Sequence, residues 1–323
     1  MPYPATGAEV RRPDLEGVLE EFNLQADRAG FAATRILPVY NVPVDSGKYH
    51  YIPIEELLQK LSGLERAPGA GYAQTDFTWK EGSFATQELG VEIAIDDKMR
   101  NRYADFPMEV AAAKLARDMV LRHVEVAVAE ALLDTTTFAH DDVTVAWDVS
   151  ASATPITDIN AAMEAMFETN GVYPNKLVVN RLVYQNLLAC EQVLAKLPTT
   201  RDKTQSNLGA ADLASAFGLD EVVVAGGAKN TAAKGQEKSI AHIWGSTYAM
   251  LVKTMDDSGS PYDVGVGRLL HYSADGSDIG GTIETYRDNP RRGDKLRCRI
   301  EATPKIYYPE CGYLIGGITT ASE

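Results

Sequence analysis

Between Asp105 and Asp134 no glycine interrupts the chain, and the one proline, Pro107, stands in the first turn, where proline is tolerated. That stretch predicts a single helix. About 28 residues at 1.5 Å each span on the order of 40 Å, more than a compact domain of ordinary size needs. Val110, Ala113, Val120, Val124, Ala127 and Ala131 keep a 3.6-residue period and are expected on the buried face, with Lys114, Arg117, Asp118, Arg122 and Glu125 on the polar remainder.

The segments around this helix differ in kind. Residues 1–45 read as an arm, with a modest helix opened by Pro13 and Asp14 and carried by Leu15, Val18, Leu19 and Phe22. In 46–97, Leu89, Val91, Ile93 and Ile95 alternate with Gly90, Glu92, Ala94 and Asp96, the period-two pattern of a half-buried strand. Lys80 to Ser83, reading KEGS, are expected to form the turn of a long two-stranded excursion. From about 145 to 264 the pattern is α/β: a helix from Thr157 stopping at Asn170-Gly171, a strand Lys176 to Val179, a helix Leu182 to Leu197 capped by Asn180, and a strand Glu221 to Ala225. AHIWGSTYAMLVK adds two strands broken at Gly245. After the turn DNPRRGD, Lys295, Arg297, Arg299 and Glu301 alternate with Leu296, Cys298, Ile300 and Ala302.

Catalytic templates find no match. HExxH, GxxxxGK[ST], GxSxG and calcium-loop spacings are absent, and no two of the five histidines stand three or four apart. His140-Asp141-Asp142 crowds histidine with carboxylates but reads as a solvated loop after the long helix. Gly265-Val266-Gly267 lacks the third glycine of a dinucleotide fingerprint, and Gly226-Gly227 precedes no helix that would hold a phosphate. No cofactor and no metal are expected. The three cysteines, Cys190, Cys298 and Cys311, are too few and too scattered for a disulfide framework, and no uncharged apolar run approaches a membrane span, so the chain is expected to be soluble and cytoplasmic at synthesis.

Charge narrows the field further. Lys and Arg number 31 and Asp and Glu 45, a formal net charge of −14, which excludes a simple basic nucleic-acid binder. Yet Arg287 to Lys305 holds seven basic residues against three acidic ones, a local +4. Phe77, Trp79 and Phe84 lie on the projecting excursion, where a monomer would expose them, and Lys295, Arg297 and Arg299 form a ribbon suited to acidic surfaces of neighbouring copies. These six are the candidate inter-subunit contacts.

The order of parts, an arm, a projecting β-loop rich in Tyr and Trp, one long helix, an α/β domain and long return strands, resembles the major capsid protein of tailed bacteriophages with the Hong Kong 97-type fold. Its most specific stretches are VVNRLVYQNLLACEQVLAKL leading to LASAFGLDEVVVAGGAKNTAAKGQEKSIAHIWG, and RLLHYSADGSDIGGTIETYRDNPRRGDKLRCRIEATPKIYYPECGYLI. The resemblance implies an α+β fold with an N-terminal arm (1–45), an extended loop (46–97), a peripheral domain with its spine helix (98–144), an axial domain (145–264) and peripheral return strands (265–323). It implies a non-enzymatic subunit of pentamers and hexamers, assembled in the host cytoplasm into an icosahedral shell around double-stranded DNA that it holds only non-specifically. A portal and decoration proteins are implied partners; with only 1–45 ahead of the loop and Met1 first, scaffolding is expected from a separate protein. Some members join a loop lysine to a neighbour's asparagine; Lys80 lies in that region, but nothing around it supports the reaction and no cross-link is expected. An encapsulin-type compartment shell is the alternative reading of the same fold, and a cytoplasmic α/β enzyme with its site in 145–264 is the alternative from another class.

Overall fold

The computed structural model describes residues 10–11, 30–61, 64–66, 68–69, 71–76, 78–102, 107–197, 208–255, 263–274 and 276–320. The helix expected at 13–22, most of the polar loop at 198–207 and Phe77 lie outside the described residues. The long helix runs Met108–Leu132, with Pro107 at its N-cap. Its buried face is alanine-rich (Ala112, Ala113, Ala116, Ala129), which lets the helix lie close against the strands Glu88–Asp96 and Gly293–Ile306. Two expectations for this helix fail. Ala127 and Ala131 are only partly buried, while Arg117 and Glu125 turn inward at 5% and 1% exposure.

Strand Gly293–Ile306 is the axis of a six-stranded sheet. Its first half pairs antiparallel with Thr282–Asp288 on one side and Glu88–Asp96 on the other; its second half pairs with Gly267–Tyr272, which carries Val39–Val42 in parallel beyond it. The expected alternation holds, with Leu296, Cys298, Ile300 and Ala302 buried and the charged set between them partly exposed. Gly267 owes its place to close approach: a Cβ there would lie 2.1 Å from the carbonyl oxygen of Lys305.

A second sheet has five strands in the order Ala139–Asp142, Gly312–Gly316, Ala249–Val252, Lys176–Asn180 and Glu221–Ala225. Two of these come from outside 145–264: 139–142 lies before that segment and 312–316 far beyond it, so the division at 145 and 265 cuts through this sheet. His140-Asp141-Asp142 is thus an edge strand and not a loop. Helix Pro155–Asn170 starts two residues before the expected Thr157 and ends at Gly171 in the left-handed conformation. The helix expected over 182–197 is two, Arg181–Ala189 and Glu191–Lys196, parted at the buried Cys190; Asn180 caps the first, accepting from the Leu182 amide at 3.0 Å.

Glu125 ties the N-terminal segment to both bodies of the fold. Its carboxylate accepts from the amides of Ala32 (2.8 Å) and Ala33 (3.0 Å) and from the Trp244 indole (2.7 Å). The short helix Ala33–Ile36 has no cap of its own, so a residue 93 positions away satisfies its first amides. Nearby, Gly30 crosses Gly226 closely enough that a Cβ on Gly30 would sit 2.7 Å from the Gly226 Cα, and a Cβ on Gly227 would sit 2.9 Å from the end of the Ile243 side chain.

Candidate assembly surfaces

The excursion is a two-stranded ribbon of Ser46–Tyr51 against Lys80–Ala85, with Tyr51 opposite Lys80. The KEGS segment is therefore strand and not turn, and the connection lies in 52–79. Gly82 belongs to no turn; the Tyr49 ring covers it, with an added Cβ 2.2 Å from Cζ. Aromatic packing roots the ribbon. Tyr49 meets Tyr307 at 4.6 Å between ring centres and Tyr51 meets Tyr308 edge-on at 5.4 Å, while the Tyr308 hydroxyl donates to the Ile52 carbonyl at 3.0 Å. Burial, with Tyr51 and Tyr308 adding to it, pushes the Tyr49 phenol up to about 12, so Tyr49 stays neutral at physiological pH.

Beyond this root the apolar groups have little cover. Leu57, Leu58, Leu64, Tyr72 and Trp79 are each more than half exposed, and Trp79 stands at 58%. Phe84, half-buried, rests against Gly47. Sequence reasoning found Trp79 and Phe84 but passed over the leucines, whose spacing reads as an ordinary amphipathic turn. The exposed apolar groups are thus concentrated on one loop.

The basic ribbon is answered within its own chain. Arg297 and Arg299 both bind Glu284, at 2.5 and 3.0 Å; Arg287 binds Asp97 and Asp294; Lys295 reaches Asp288 at 3.3 Å and Glu92 at 3.7 Å. Burial alone would raise the Glu284 carboxyl, but the hydrogen bonds from Arg297 and Arg299 hold it below the usual carboxylate range. That contribution to stability is complete above the ordinary value of 4.5 and is lost as pH falls through the lowered one. Changing Arg297 and Arg299 together to Glu would gather three carboxylates on one half-buried patch. The expected result is a folded chain weakened by about 2–4 kcal/mol, read from chemical denaturation, before any effect on association. An unchanged midpoint would show that these pairs do not support the fold.

Neither a metal cluster nor a reactive thiol is present among the described residues: no group of three His, Cys, Asp or Glu converges, and all three cysteines are buried. Burial pushes the Cys298 thiol up to about 11. No helix among them is long and apolar enough to cross a membrane.

A family model described as phage capsid protein matches residues 80–315. No curated protein sequence matches the chain. Among solved structures, a phage-related protein from Bordetella bronchiseptica RB50 is 19% identical with a TM-score of 0.69, over 98% of this chain and 100% of its own. A virus-like particle from Pyrococcus furiosus is 14% identical with a TM-score of 0.57, over 94% and 98%. The mature capsid of bacteriophage PhiM1 is 13% identical with a TM-score of 0.51, over 86% and 83%. At these identities the likeness is one of fold.

Proposed function

The chain belongs to the phage capsid protein family, with its Hong Kong 97-type α+β fold, and on that premise we propose that it is the major capsid protein of a tailed double-stranded DNA phage, closing into pentamers and hexamers of an icosahedral shell. As a capsid protein it is a structural subunit that assembles with itself in the virion. The observation that carries the finer reading is the excursion: a rooted ribbon whose outer apolar residues a single copy leaves exposed. In this reading 46–97 is the extended loop lying over a neighbour, and Trp79 and Phe84 are among its contacts. The long helix and six-stranded sheet form the peripheral domain, and the five-stranded sheet the axial one. A scaffolding protein, a portal and decoration proteins complete the particle, and the packaged DNA is contained without sequence recognition.

Negative-stain microscopy of the purified chain, with nucleic-acid analysis of any particles from infected or induced cells, tests the proposal. Large DNA-filled shells support it; small shells filled with protein cargo would favour an encapsulin-type compartment, the likeness to the Pyrococcus particle being one of fold alone. Trp79→Ser isolates the role of the loop: particle yield is expected to drop about tenfold or more with the melting temperature of the free subunit unchanged. Normal yield would remove Trp79 from the contacts.

A further inference from the structure

Arg287, Lys295, Arg297 and Arg299 of the 287–305 ribbon are paired within the chain, and a second group of lysines lies outside that ribbon. Strand Glu221–Ala225 leads through Gly226-Gly227 into a small hairpin, Ala228–Asn230 paired with Ile240–His242, fastened at its root by the Ile243 amide donating to the Gly227 carbonyl at 2.9 Å. The hairpin carries Lys229, Lys234 and Lys238 against the lone Glu237, and among the described residues none of the three lysines has an ion-pair partner. Lys234 and Lys238 are fully on the surface, as is Ile240 at 68% exposure. The opposite edge of the same sheet is Ala139–Asp142, all four residues exposed and, among the described residues, with a strand paired on one side alone. Asp141 accepts from the Tyr313 hydroxyl, and neither it nor Asp142 has an ion-pair partner among the described residues. A groove of about 150 Å³ beside them, lined also by Thr144 and Asp158, offers space for the end of a lysine side chain.

One sheet therefore presents a basic projection from one edge and an acidic, open strand at the other. Complementary patches on opposite edges of one body make a head-to-tail contact, and repetition of such a contact by a fixed rotation closes a ring. We infer that neighbouring copies in a ring meet here, the lysine hairpin of one copy seated on the Ala139–Asp142 edge of the next. The occupant is a second copy of this chain, because the complementary charge is on the chain itself. This rests on the shell reading and says which surfaces of the subunit face each other within a ring.

The test is a charge exchange. Lys234→Glu with Lys238→Glu reverses the hairpin; Asp141→Lys with Asp142→Lys reverses the edge. Each reversal alone is expected to lower the yield of rings and particles by about tenfold or more in sedimentation, with circular dichroism unchanged, and all four changes in one chain are expected to restore it. The hairpin reversal lies on an exposed loop, so it stands as a test even if the edge reversal fails to fold. Normal assembly of the hairpin variant, or a folded fourfold variant that stays as unassociated as the single reversals, would overturn the inference. If the unaltered chain made no particles, the shell reading would fall. The contact would still be read by mixing the two reversed proteins, which are expected to associate with each other and not with themselves.

Discussion

Replacing Glu125 by alanine is expected to lower the unfolding free energy at neutral pH by about 3 kcal/mol. Three buried donors, the amides of Ala32 and Ala33 and the Trp244 indole, lose their acceptor together, at about 1–3 kcal/mol for each that stays dry; relief from desolvating a carboxylate offsets part of the loss. Burial is the largest influence on this group and pushes its pKa above the ordinary 4.5, against the opposing effect of the three donors. The sign of the pH dependence follows. A carboxyl that binds its proton more tightly when folded contributes stability that is complete below the ordinary 4.5 and is lost as pH rises through the raised pKa. Asp278 lines the same cavity of about 390 Å³ as Glu125. The gap between the native chain and Glu125→Ala should thus widen as pH is lowered through the raised pKa toward 4.5. Denaturation curves of both proteins at each pH measure it; parallel curves at all pH values would mean that Glu125 does not titrate in this range. The Glu284 pairs have the opposite dependence, so their loss in acid appears equally in both proteins and cancels.

Gly267→Ala is expected to cost at least about 3 kcal/mol. The new Cβ would stand 2.1 Å from the Lys305 carbonyl oxygen and 2.9 Å from the Ile306 Cα, both backbone atoms of a paired strand that has no side-chain freedom with which to yield. Gly90→Ala is the matched control: it lies on a neighbouring strand of the same sheet, its nearest contact is at 3.4 Å, and its effect is expected to stay within about 1 kcal/mol. Equal melting temperatures for the two variants would show that the sheet opens at Gly267 without cost.

Gly267 also illustrates where sequence reading stops. The pair of glycines at 265 and 267 is legible as a motif fragment, but the reason for glycine at 267 lies in a carbonyl 38 positions away, invisible to any local pattern. Local signals fared well. The long helix, the alternation in 88–96 and 293–302, the Asn180 cap and the Gly171 stop all depend on neighbours within a turn or a strand. KEGS misled because lysine, glycine and serine are good turn residues, and only the distant Tyr49 ring explains why glycine sits in a strand. Arg117 and Glu125 misled for the related reason that charge predicts exposure unless a partner is known. For the candidate surfaces, of the three aromatics expected on the excursion Trp79 is exposed and Phe84 half-buried, whereas the basic ribbon looked available until its carboxylates appeared, from Asp97 to Glu284. The hairpin lysines carry no signal in the sequence, since nothing local distinguishes an unpaired lysine from a paired one.

The strand Gly312–Gly316 lies inside the five-stranded sheet, between 139–142 and 249–252. During synthesis this slot stays empty until residue 316 has left the ribosome, so the edge strand has nothing to pair with and the sheet cannot close on a partial chain. The sheet's centre is thereby filled late: the Ala139–Asp142 edge is set in place only on a chain that already carries residue 316.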